Sequence, residues 1–242
     1  FYPAMVITTE RLLRRWHNAA AAATSIDACR ELMRYTVDVT AHLAFGIDVN
    51  SLETAGTVIQ QHLDKVFPML FRRVVAPFPI WRYWRTAADR ELDRALTEIR
   101  AAVLEIIAAC RQRMHDNAAL YAAPTNFLEA IIAAQRSEIV EFSEAEIYAN
   151  VINLLLAGED TTANTIAWAM SFFMRYPALF AAAREEVDAV MGDARVVKDL
   201  NDLRRLEYLE AFALETMRLK PVAPLLGIEP KQDVDLLGYR IP

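Results

Sequence analysis

The sequence predicts a mainly α protein, one largely helical domain over residues 1–242 with a long central helix and short strands near its C-terminal end. Three observations carry this. Apolar residues recur at three- and four-residue spacing through most of the chain, with Ala, Leu, Glu and Arg as the main carriers. The stretch from about 144 to 176 holds no helix breaker except Gly158. Strand signals are confined to VAPLLGIEP and VDLLGYRIP, after Pro221.

TTERLLRRWHNAAAAAT reads as a first helix, starting near Thr8. A second is opened by Ser25 or Asp27 and stopped by Gly46, and a third runs from about Ser51 to Phe71. Pro68, Pro77 and Pro79 then break the pattern, so FPMLFRRVVAPFPIWRYW reads as a packed loop or hinge. The next helix is long and amphipathic, with Leu92, Leu96, Ile99, Val103 and Ile106 as its apolar stripe. TNFLEAIIAAQR is a shorter helix. Ser143 and Glu146 form an S-x-x-E capping box that starts the central helix. At 1.5 Å per residue that helix is about 50 Å long, enough to cross a domain. Pro177 opens the helix after it, and Gly192 closes that one. A last helix, at about 206–220, ends before Pro221.

With 242 residues, 55% of them hydrophobic, the chain can build a substantial core. Its net charge of −6, with Lys and Arg spread throughout, leaves no electrostatic footprint for nucleic acid. Cys29 and Cys110 lie far apart on helical stretches and read as reduced, buried thiols. The four histidines show no paired metal-ligand spacing, so no metal site is expected from them. No apolar run reaches the roughly 18 residues needed to span a bilayer, and no signal-peptide pattern is present. The chain starts at Phe1 and stops on a strand-like run. We therefore expect a piece truncated at both ends, which leaves membrane contact open. Alanine richness and the lack of an anchor pattern in these residues lead us to expect a cytoplasmic protein.

The central helix poses a question, because LLLAGEDTTANTIAWAM is polar in its middle. Ala157, Thr161 and Thr165 share one narrow face, with Asp160 and Asn164 beside it. Apolar residues surround the rest, so the helix should be central and Asp160 and the threonines buried. Burying a polar group without a partner costs a few kcal/mol. Thr161 could bond back to the Ala157 carbonyl, and Asp160 to Asn164. Gly158 has no such explanation, since it costs about 1 kcal/mol against Ala. A flat group lying on Ala157 and Gly158, with a proton donor and a hydroxyl aimed at it, is one account. A polar kink holding a water is the other.

Ala157-Gly158-Glu159-Asp160-Thr161-Thr162 resembles the central-helix signature of the cytochrome P450 superfamily, A/G-G-x-D/E-T-T. Glu215 and Arg218, in ETMR, resemble its E-x-x-R pair. The parts between follow the family's order, KPVAPLLGIEP resembles its pocket-lining strand, and VDLLGYRIP resembles the hairpin after that strand. Upstream, TVDVTAHLAFGID resembles the family's helix ending in F-G, and YPAM the turn before it. The departure is the cysteine loop, F-x-x-G-x-R-x-C-x-G, which has no counterpart here; Cys29 and Cys110 stand in helices without its glycines.

The resemblance implies a haem-dependent monooxygenase acting on an apolar small molecule with dioxygen. Electrons would come from a reductase or a ferredoxin-type donor. The cofactor would be haem b, with its cysteine ligand absent from this chain. Ala157 and Gly158 would let the cofactor approach, Thr161 would hydrogen-bond the bound oxygen, and Asp160 would feed protons through water. Glu159 would turn outward. Glu215 and Arg218 would form a buried structural ion pair, and Val222, Ala223, Leu225 and Leu226 would line the substrate pocket, or else form ordinary core strand. Phe67–Trp84 would cap the channel to that pocket, and an amphipathic stretch of this kind can touch a membrane.

Two other classes compete with this reading. An all-α isoprenoid synthase needs an aspartate-rich magnesium motif, and none is present. A helical binding or scaffold module without chemistry would keep Asp160 and Thr161 satisfied in a dry core. A flat slot beside Ala157 and Thr161 would argue against it.

Overall fold

The computed structural model describes residues 2–54, 58–135, 142–197, 199–225 and 230–241, and of 58–64 the backbone only. Ten α-helices and one hairpin appear among them: α1 (Tyr2–Ala21), α2 (Ala28–Phe45), α3 (Val58–Val74), α4 (Ala87–Asp116), α5 (Ala119–Ala122), α6 (Phe127–Gln135), α7 (Glu144–Arg175), α8 (Pro177–Met191), α9 (Leu200–Leu203), α10 (Glu207–Leu219), β1 (Val234–Leu236) and β2 (Tyr239–Ile241). The strands pair antiparallel, Val234 opposite Ile241 and Leu236 opposite Tyr239. Leu237 and Gly238, both at positive φ, make the two-residue turn between them.

Helix ends follow local chemistry. Asp27 caps α2 by accepting the Arg30 N–H, and Gly46 closes it in the left-handed region at φ 67°. Thr86 and Asp89 form a reciprocal capping box at the start of α4, and Ser143 and Glu146 do so for α7. Three expectations are corrected. α1 begins at Tyr2, six residues before Thr8, because Pro3 sits in a first turn whose N–H groups need no helical partner. α3 runs through Pro68, at the loss of one ladder hydrogen bond, and ends at Val74. On α4 the buried stripe is Leu92, Ala95, Ile99, Val103 and Ile107, while Leu96 is exposed.

α7 packs against α2, α4, α6, α8 and α10. The larger core cluster joins Phe45 of α2, Ile99 and Met114 of α4, Leu128 of α6, and Ile147 and Val151 of α7. A second cluster gathers Leu12, Leu32, Leu52 and Ala163 where α1 and α2 meet α7.

Gly158 sits directly against Thr40 of α2. A Cβ there would lie 2.4 Å from Thr40 Oγ1, 2.7 Å from its Cγ2 and 3.1 Å from its Cβ. Turning the Thr40 side chain relieves the first two contacts, but its Cβ is fixed to the α2 backbone. We expect Gly158→Ala to destabilise by about 1–2 kcal/mol, because overpacking, at about 1–3 kcal/mol, outweighs a propensity gain of about 1 kcal/mol. Adding Thr40→Ala removes the two nearest atoms and should recover most of the loss. Urea unfolding of the two single variants and the double variant checks this, and a Gly158→Ala as stable as the parent would mean that the interface has slack.

Candidate active site

The polar middle of α7 divides its residues between two opposite sides. Ile147, Val151, Leu155, Glu159 and Ala163 form a buried row at four-residue spacing. Ala157, Thr161 and Thr165 stand two residues off that row, about 200° round the helix. Ala157 and Thr161 are exposed, and Thr162 is exposed beside them. The threonines are therefore not buried, contrary to expectation, because the packing face was taken by the row containing Glu159. Glu159 is only 3% exposed, where an outward side chain was expected.

Local hydrogen bonds satisfy this segment. Thr161 donates its hydroxyl to the Ala157 carbonyl at 2.8 Å, and Thr165 does the same to Thr161 at 2.8 Å. The Asn164 amide donates to the Asp160 carbonyl at 2.8 Å. From α2, the Thr36 hydroxyl donates to the Glu159 carbonyl at 2.8 Å. Gly158 faces α2, so its missing side chain serves helix packing rather than the Ala157–Thr161 face.

Asp160 lines a cleft of about 740 Å³ between the start of α2, α3 and α7, together with Cys29, Arg30, Met33, Phe67 and Phe71. The Cys29 thiol points at Asn164 Oδ1, 3.7 Å away. Burial pushes that thiol above its ordinary range, and the charges of Asp27 and Asp160 add to the effect. Of the α2 and α3 residues in this wall, the sequence points to Cys29 only as a thiol and to Phe67 and Phe71 only as part of the Phe67–Trp84 stretch; Arg30 and Met33 carry no signal of their own. The four-residue spacing of Phe67 and Phe71 was the available signal. A larger cleft, of about 1020 Å³, lies between α1 and residues 193–196; its lining includes Glu10, Arg14, His17 and Arg195 and none of the α7 residues above.

Glu215 and Arg218 pair in bidentate fashion on α10, at 2.6 and 2.7 Å. The guanidinium holds the Glu215 carboxyl below its usual value. Both side chains are more than half exposed, at 53% and 67%, so the expectation of a buried pair is corrected. Spacing on a helix brings two residues together but does not say which way they face.

Val222 is half-buried, Ala223 and Leu225 are exposed, and no strand forms over 222–225; Leu226 lies outside the described residues. Phe67–Trp84 is not a packed loop. Phe71, Val74, Phe78, Ile80, Tyr83 and Trp84 are all exposed. Arg72, Arg73 and Arg82 accompany them, Arg85 follows, and no acidic residue occurs between Lys65 and Asp89. Arg73 tethers the segment, lying 5.7 Å over the Trp81 ring and 3.1 Å from Asp89. Hydrogen bonds from Thr86 and then Arg73 pull the Asp89 carboxyl down to about 2.

Among the described residues, no cluster of three or more His, Cys, Asp or Glu could hold a metal ion, and no single helix is long and apolar enough to cross a membrane. The His62 side chain is outside the described residues.

The Cytochrome P450 family model matches residues 1–242. The chain is 25% identical over 250 residues to cytochrome P450 93A2 of Glycine max, a match covering 100% of this chain and 49% of that protein. It is 26% identical over 250 residues to 3,9-dihydroxypterocarpan 6A-monooxygenase of Glycine max, covering 100% and 48%. The crystal structure of the cytochrome P450DA heme domain superposes with a TM-score of 0.80 at 21% identity, covering 99% of this chain and 50% of that one. That of a cytochrome P450 (CYP102L1) does so with a TM-score of 0.74 at 25% identity, covering 91% and 49%. The chain spans about half the length of the curated relatives it matches. With the A-G-E-D-T-T turn on its central helix and a match along its whole length, the chain belongs to the cytochrome P450 family.

Proposed function

We propose that this chain forms one half of a haem-dependent monooxygenase that inserts an oxygen atom from dioxygen into an apolar organic substrate. The observation that carries the reading is the Ala157–Thr161–Thr165 row, exposed at Ala157 and Thr161 and half-buried at Thr165. It presents only methyl and hydroxyl groups, and both hydroxyls are already donated to backbone carbonyls. Such a low-polarity shelf fits a flat apolar cofactor, haem b by the family's chemistry. Bound there, the haem supplies dioxygen activation, using electrons from a reductase or ferredoxin-type donor.

Ala157 keeps the shelf flat. The Thr161 hydroxyl spends its proton on the Ala157 carbonyl, so its lone pairs point outward as acceptors. Asp160, open to the cleft on the α2 side, holds and delivers a proton at its carboxyl group. Gly158 contributes by letting α2 close on α7. Glu215 and Arg218 fix the local geometry of α10, and Val222, Ala223, Leu225 and Leu226 would wall the substrate pocket from the chain that follows α10. The iron ligand would come from outside this chain. Cys110 is sealed in the core on α4, with its thiol pushed up by burial, and the Cys29 thiol lies on α2 against Asn164 Oδ1. The exposed Phe67–Trp84 segment borders the cleft mouth and supports contact with an apolar or membrane surface there.

The test is turnover of the haem-loaded protein under isotopically labelled dioxygen with an apolar substrate panel. One labelled oxygen atom per product molecule is expected. Product labelled only from water would reject the monooxygenase reading.

A further inference from the structure

We propose that Thr36 of α2 is a positioning residue for the Ala157–Thr161 turn of α7, acting through the Glu159 carbonyl; this rests on the reading of Thr161 above. Thr36 is 3% exposed, and its hydroxyl has one proton for three carbonyl oxygens. Leu32 and Met33, on its own helix, offer acceptors at 3.1 and 3.0 Å. The shortest contact, 2.8 Å, crosses to Glu159, 123 residues away in sequence. A buried threonine ordinarily bonds back within its helix, and here the crossing contact competes with that habit.

In an α-helix the Glu159 carbonyl also accepts the Ala163 N–H, so two donors share it and each bond is weakened. Among the carbonyls from 157 to 161, those of Ala157, Glu159, Asp160 and Thr161 receive a side-chain donor. Three of those donors come from α7 itself and move with it. The donor to Glu159 comes from α2, so it alone of the four ties the turn to something outside α7. Thr40, one turn along from Thr36, is the residue against which Gly158 is closed. The two threonines thus seat α2 on the one turn of α7 that carries the reactive face. Side-chain insertion into a helical ladder is a recognised cause of local bending.

Thr36→Val keeps the shape and removes the donor, while Thr36→Ser keeps the donor. In the haem-loaded protein, Thr36→Val should lower product formed per reductant consumed by at least about twofold with KM little changed. Its Ala163 amide proton resonance should move downfield as that bond strengthens. Thr36→Ser should restore both readouts. A purely structural role would lower thermal stability and leave coupling and the Ala163 resonance unmoved. If Thr36→Val does not fold, Thr36→Ala is read the same way. Thr161→Ala is measured in parallel. Should it uncouple while Thr36→Val stays coupled, this inference fails and the function reading stands. Should Thr161→Ala stay coupled, the role given to Thr161 fails, and an unmoved Ala163 resonance overturns the Thr36 contact as well.

Discussion

Thr161→Ala in the haem-loaded protein should leave substrate affinity within about threefold while reductant is consumed with much more peroxide released per product. The hydroxyl sits on the exposed side of α7, oriented by its bond to the Ala157 carbonyl, where it can hold a ligand on that face. Removing it takes away an acceptor at a fixed place and leaves the substrate's apolar contacts alone. Thr161→Ser, which keeps the hydroxyl, should retain most of the coupling. Thr162→Ala, rotated about 100° on a 3.6-residue helix, should be far milder. Product per reductant across the three variants decides it. Parent-like coupling in Thr161→Ala would remove the proposed role, and a larger loss in Thr162→Ala would move it to the neighbouring threonine.

Arg113→Leu should be among the most destabilising single changes away from α7. Arg113 joins three helices, donating from α4 to Glu129 of α6 at 3.1 Å and to the Phe45 carbonyl at the end of α2 at 3.2 Å. Glu129 is 1% exposed, and its second oxygen accepts the Thr125 N–H and hydroxyl at 2.7 and 2.8 Å. Burial pushes this carboxyl up, but the Thr125 and Arg113 hydrogen bonds outweigh it and hold it below the ordinary glutamate value. A carboxyl lowered by folding stabilises fully above its ordinary value, and that contribution is lost as pH falls through the lowered one. Without Arg113 the carboxylate stays buried with Thr125 alone. We expect a cost of about 2–4 kcal/mol at pH 7, under the figure for a fully buried pair because Thr125 remains. The cost should shrink toward pH 4, where protonation relieves the stranded charge. Urea unfolding at both pH values measures it, and an equal cost at both would mean that Glu129 is not the stranded group.

Local signals in the sequence reached a long way. Ser143 with Glu146, Asp27, Gly46 and Pro177 each act through backbone groups a few residues away, and the helices around α7 start or stop at them. Pro68 reads as a breaker in the sequence yet lies inside α3, because a proline costs only one ladder hydrogen bond where the rest of the helix is held. The orientation of α7 was harder. Its buried row includes Glu159, and a glutamate in an otherwise apolar series hides the series. The cleft at Asp160 could not be read at all, since its walls come from three helices that only tertiary packing brings together. Exposure of Glu215 and Arg218 was hidden for a related reason, as the pair's spacing is identical on a buried or an open face.

The Thr36–Glu159 contact also sets a clock for synthesis. Its two residues leave the ribosome 123 positions apart. At roughly 5–20 residues per second, Thr36 is made about 6–25 seconds before Glu159. During that interval Leu32 and Phe45, which end up among the most deeply enclosed side chains of the protein, have no α7 to cover them. Loop closure over such a distance is also costly in entropy before any contact rewards it. The Thr36–Glu159 pairing can form only after that wait, and until then the nascent chain carries a complete α2 whose apolar face has no α7 against it.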